Sequence, residues 1–83
     1  ASAAYYRINT RRIKEKQMKY TASLVQLNID ETQELLASAG FILSKSSLFD
    51  VIIMFCIVKG IYDIFEVDTI LFQYDQETLF SLR

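Results

Sequence analysis

The sequence predicts a small all-α domain, a bundle of about four to five helices, and three observations carry that expectation. The 83 residues contain no proline and two glycines, too few breakers for a loop-rich chain. Hydrophobic residues make up 52% and charged residues 23%, far from the polar, highly charged composition of disorder. Apolar residues recur at three- and four-residue steps behind cap-like Asn, Asp and Ser residues. A chain of this length buries only about 60% of its unfolded surface, so it holds a single core and a single domain over residues 1–83.

The first helix is predicted over Lys16 to Leu27, where Met18, Ala22, Val25 and Ile29 recur on one face and Leu24 and Leu27 widen the stripe. Asn28 or Asp30 then offers an N-cap, and Asp30 with Gln33 has capping-box spacing. A second helix follows from Glu31 to Ala39, with Glu31 and Glu34 at the positive end of its dipole and Leu35, Leu36 and Ala39 facing inward. Gly40 supplies a left-handed stop, and Phe41 packs back on Leu36.

The third helix is predicted over Leu48 to Lys59, capped by Ser47 and stopped by Gly60. Its Val, Ile and Phe content also suits a buried strand, but twelve residues between a cap and a glycine favour a central helix. Asp63 and Glu66 start a fourth helix over Phe65 to Tyr74, and Leu79, Phe80 and Leu82 in the tail suit a further turn. The expected core is Val25, Leu35, Leu36, Phe41, Phe49, Ile52, Ile53, Phe55, Cys56 and Ile70.

One cysteine and no histidine exclude an intramolecular disulfide, a zinc finger, a Cys-His pair and histidine acid–base chemistry. No catalytic residue, metal ligand or cofactor site is expected. Cys56 reads as an inert small hydrophobe in the most apolar segment, and the paired carboxylates stand where helix starts favour acids. The longest apolar run, Val51 to Val58, falls short of the ~20 residues a membrane span needs, so a soluble, cytoplasmic protein is expected.

The charge is divided. Residues 1–20 carry a net +5 and residues 21–83 a net −6. Basic residues in the first segment are interleaved with Tyr5, Tyr6, Asn9 and Thr10. Arg and Lys neutralise phosphates, Arg and Asn match guanine and adenine edges, and Tyr hydroxyls bond phosphate oxygens. The alternative is a solvated basic helix end.

The order of a Tyr/Arg segment, the polar run Asn9-Thr10-Arg11-Arg12, a helix ending Leu24-Val25-Gln26-Leu27-Asn28-Ile29, and then Asp30 through Leu35-Leu36-Ala37-Ser38-Ala39-Gly40-Phe41 resembles the second half of a bacterial Cro/repressor-type helix-turn-helix domain. The segment from Leu43 to Val67 is similar to an extension that follows this motif in some small bacterial proteins. The resemblance implies a partial helix-turn-helix region over 1–41 and a helical extension over 42–83. It implies a recognition helix up to Ile8 that brings Tyr5, Tyr6 and Arg7 to DNA, and a backbone-contacting loop at Asn9, Thr10, Arg11 and Arg12. Lys14 and Lys16 complete the expected DNA-contact set. The family's first two helices have no counterpart before Ala1, which points to the C-terminal part of a longer regulator or to a helical module that keeps the scaffold alone.

The leading expectation is thus a DNA-binding transcriptional regulator or its C-terminal fragment. The alternative is a helical interaction or dimerisation module without DNA binding, and an enzyme ranks third. In either leading case a homo-oligomer is expected, because so short a chain cannot cover an apolar helix on every side.

Overall fold

The protein is described from a computed structural model that gives the backbone of residues 2–78 and the side chains of residues 11–78. Among these residues the fold is all-α: α1 (Ser2–Ser23), α2 (Ile29–Ser38), α3 (Leu48–Lys59) and α4 (Ile64–Gln73), with no strand. None of these helices is long and apolar enough to cross a membrane. The tail residues Leu79, Phe80 and Leu82 lie outside the described residues.

The largest departure from the expected layout is at the start. Residues 9–12, expected as a polar loop, lie within a continuous 22-residue helix. The physical reason is local: the stretch holds no glycine or proline, and the Arg, Lys, Glu, Gln and Met residues that follow are strong helix formers. The helix also ends earlier than expected, at Ser23, whose hydroxyl donates to the Tyr20 carbonyl at 2.6 Å. Gln26 then takes a left-handed conformation (φ 53°), turning the chain toward α2.

Asn28, rather than Asp30, caps α2. Its side chain accepts from the Glu31 amide at 2.8 Å, while the Glu31 carboxylate accepts from the Asn28 amide at 3.1 Å. Both spacings satisfy the capping-box rule, but the Asn28 box frees Gln33 for another role. The Gln33 amide donates to the Leu43 carbonyl and accepts from the Leu43 N–H, pinning the α2–α3 connection to α2. The α2 ending follows expectation: Gly40 has φ +83°, and the Phe41 amide donates to the Leu36 carbonyl at 2.9 Å, with Phe41 packed on the core.

The bounds of α3 agree with those expected. Ser47 caps it through the Asp50 amide, and Gly60 (φ +71°) ends it. Asp63 caps α4 by accepting from the Phe65 and Glu66 amides at 2.7 and 3.4 Å. Helix α3 is the centre of the fold and touches each of the other three. Around Phe49, Ile52, Ile53, Cys56 and Ile57 of α3 pack Tyr20 and Ala22 of α1, Leu36 of α2, Leu43 of the connection, and Val67 and Leu71 of α4.

Three expected core residues stand outside it. Val25, Leu35 and Phe55 are exposed. Val25 falls beyond the end of α1, in the turn that follows, and so leaves the helical stripe. Leu35 and Phe55 lie on the outward sides of their helices, next to the buried Leu36 and Cys56. Tyr20 replaces them as the largest fully buried side chain.

Candidate functional site

The expected DNA-contact residues are brought onto one helix and are then separated by their partners. Tyr5, Tyr6, Arg7, Asn9 and Thr10 belong to the first turns of α1, and their side chains lie outside the described residues. Arg11 and Lys14 are exposed and three residues apart on the helix surface. Arg12 is also exposed, but its guanidinium donates to Glu77 at 3.1 Å. Lys16 does not present a free charge to solvent: its ammonium lies 3.4 Å from the same Glu77 oxygen and 5.2 Å above the Phe49 ring, with a side chain only 19% exposed. Its long stem covers the core while its charge is held at the edge.

One turn further on, Lys19 is buried. It donates to Asp50 of α3 at 2.9 Å and to Glu15 of α1 at 3.0 Å. The same Asp50 oxygen accepts from the Ser44 amide at 2.9 Å. A single carboxylate therefore ties α1, the α2–α3 connection and α3 together. Burial works against the Lys19 charge, but the hydrogen bonds to Asp50 and Glu15 and their negative charges outweigh it and hold the ammonium pKa above its ordinary value. Next to it, the Tyr20 hydroxyl donates to Asp68 and to the Ile64 carbonyl of α4. Burial, then the bond to Asp68 and its charge, push the phenol well above its usual range. These groups form a polar brace inside an apolar core, with no buried side-chain polar atom lacking a hydrogen-bond partner among the described residues.

The outer face of α3 is apolar. Leu48, Val51, Phe55 and Val58 of α3 are 47%, 38%, 47% and 69% exposed and follow one another at steps of three, four and three residues. Beside them, α3 and α4 enclose an open hollow of about 440 Å³ lined by Leu48, Val51, Ile52, Phe55, Ile70, Gln73 and Tyr74. A second hollow, between α1 and α2, is lined by Lys14, Gln17, Met18, Thr21, Ala22, Val25 and Leu35. The sequence predicts an apolar helix that cannot be covered on every side but does not identify the exposed row. Its 3-4-3 spacing is present in the sequence, but apolar neighbours on the inner face hide it, because the helix is apolar all round.

Two chemistries lack support from the geometry. Cys56 is fully buried, and burial, with a smaller contribution from Glu66, raises its thiol pKa away from the reactive thiolate. Among the described residues no group of three or more His, Cys, Asp or Glu side chains is arranged to hold a metal ion. Comparison of the chain with family models, with curated proteins and with solved structures finds no match in any of the three.

Proposed function

We propose that this chain is a helical protein–protein interaction module that binds through the outer face of α3 and the adjoining hollow against α4. The supporting observation is the division of the surface. Lys16 and Lys19 are held against the acidic body, and Arg12 is paired with Glu77, whereas Leu48, Val51, Phe55 and Val58 remain 38–69% exposed among the described residues. Contiguous apolar surface rimmed by polar residues is the usual mark of a protein partner.

A second reading, a DNA-binding regulator, draws on Arg11 and Lys14, which are exposed on neighbouring turns of α1. The two readings differ in salt dependence. Each phosphate contact contributes about −0.9 to the slope of log affinity against log salt. The interaction module, with Arg11 and Lys14 alone available among the described basic residues of α1, gives weak, sequence-independent DNA binding with a slope no steeper than about −2.7 even when Arg7 is counted. A regulator that uses Arg7, Arg11, Arg12, Lys14 and Lys16 gives a slope near −4.5. In that case Arg7→Ala relaxes sequence preference as well as affinity, while Lys14→Ala weakens all sequences about equally. A salt titration of duplex DNA binding by the full chain separates them, and a steep slope with an Arg7-dependent preference overturns the interaction-module reading.

A further inference from the structure

Resting on that reading, we infer that the occupant of the apolar face is a second copy of this chain, whose α3 lies antiparallel to the first across a two-fold axis between Val51 and Phe55. The spacing supplies the first argument. Leu48, Val51, Phe55 and Val58 fall at steps of three, four and three, the a/d repeat by which one helix seats its side chains between those of another. The inner face of α3 is already used by Phe49, Ile53 and Cys56, so this is a second, outward seam on a helix that is packed on its other side.

Charge supplies the second argument. The seam carries no charged residue: the one acid within α3, Asp50, is buried against Lys19, and Lys59 lies at the helix end beyond Val58. A copy of the same surface meets it without burying a charge, the condition an apolar interface core needs.

Shape gives the direction. In an antiparallel pair, Leu48 faces Val58 and Val51 faces Phe55, so each layer sets a larger side chain against a smaller one and the layers fill evenly. A parallel pair sets Phe55 on Phe55 and Val51 on Val51, crowding one layer and starving the next. Antiparallel alignment also opposes the two helix dipoles. The hollow bordered by Ile70 and Tyr74 lies beside the same seam, so knob and receptor occupy one face, as a closed two-fold interface requires.

The half-exposed seam residues with Tyr74 present on the order of 500 Å² of mostly apolar surface, from ~150–250 Å² per large aromatic side chain and less for the aliphatic ones. That is more than half of the ~800 Å² a standard interface takes from each partner.

The test is equilibrium sedimentation of the full chain over a range of concentrations, with trapping by introduced cysteines. The expected result is a reversible doubling of mass. Phe55→Lys and Val58→Lys, both on exposed positions and each checked for retained helicity by circular dichroism, raise the dimer Kd at least about 30-fold. Phe72→Lys, on an exposed α4 residue that does not line the hollow, leaves it unchanged. An equal mixture of Val51→Cys and Phe55→Cys chains forms cross-linked mixed dimers on oxidation, whereas Val51→Cys alone does not. A constant monomer mass assigns the face to a different protein and overturns self-pairing, as does dimerisation untouched by both Lys variants. Cross-linking of Val51→Cys chains to one another overturns the antiparallel arrangement. None of these outcomes bears on the DNA salt slope, which alone decides between module and regulator.

Discussion

Helices α1 and α3 are opposites in composition, and each does with its side chains what its composition argues against. Helix α1 carries most of the positive charge, yet it sends Lys19, Tyr20 and Ser23 into the interior and holds Lys16 over an aromatic ring. Helix α3 is almost wholly apolar, yet it leaves four of its twelve residues as an exposed row. The difference teaches that a +5 segment is not by that fact a charged surface, and an apolar segment is not by that fact a core. What decides is the partner each face meets: Glu77, Asp50 and Asp68 reach α1 from distant parts of the chain, whereas among the described residues the outer face of α3 stays 38–69% exposed.

The strongest way to break this contrast is to remove the acid on which α1 depends. Asp50→Ala leaves Lys19 buried with Glu15 alone and strips the Ser44 amide of its acceptor, and is expected to lower stability by about 3–5 kcal/mol in urea denaturation. The paired replacement Lys19→Met with Asp50→Leu recovers the part of that loss that comes from the unpaired buried charge, because an apolar pair needs no compensation for lost hydration, while the Ser44 amide stays without its acceptor. A loss under ~0.5 kcal/mol for Asp50→Ala would mean the brace contributes nothing.

The two faces of α3 give the next effect. Ile53→Ala opens a cavity at a fully buried site and costs about 2–4 kcal/mol.

Smaller again is Tyr20→Phe, which removes the hydroxyl that serves Asp68 and the Ile64 carbonyl and costs about 1–2 kcal/mol. Its signature is in the pH profile. Lys19 and Tyr20 both have folded pKa values raised above their unfolded ones. Their contributions are therefore complete below about pH 10 and are lost as the pH climbs beyond it toward the folded values. Unfolding free energy measured from pH 8 to 11 should fall at the alkaline end, and Tyr20→Phe should flatten part of that fall.

At the bottom of the scale, Arg12→Ala removes an exposed ion pair, and Val58→Ser alters the outer face of α3; measured on the monomer, each changes stability by less than about 0.5 kcal/mol.

How far these regions were legible in the sequence follows from the range of the interactions involved. The bounds of α3 were legible because Ser47, Asp50 and Gly60 act on their near neighbours. The cap of α2 was half legible, since Asn28 and Asp30 both satisfy the local rule and the choice depends on Gln33 reaching Leu43, ten residues on. The continuity of α1 through Asn9 and Arg12 was readable from helix propensity, but the resemblance to a helix-turn-helix pattern put a loop there. For the candidate site, residue type suggested Lys16 for phosphate contact, while its engagement by Glu77, sixty-one residues away in the chain, is a property of the fold alone.

Cys56 gives the molecule an internal timer. It is the chain's one thiol, sealed in the core on the inner side of α3 and kept in its protonated form by burial. An alkylating reagent reaches it only when α3 lifts away from its neighbours, and each molecule then gains one fixed increment of mass. At mildly alkaline pH, the ratio of that labelling rate to the rate for the unfolded chain gives the population of open molecules under native conditions. Followed against protein concentration, the same clock slows if pairing across the outer face steadies the helix from behind.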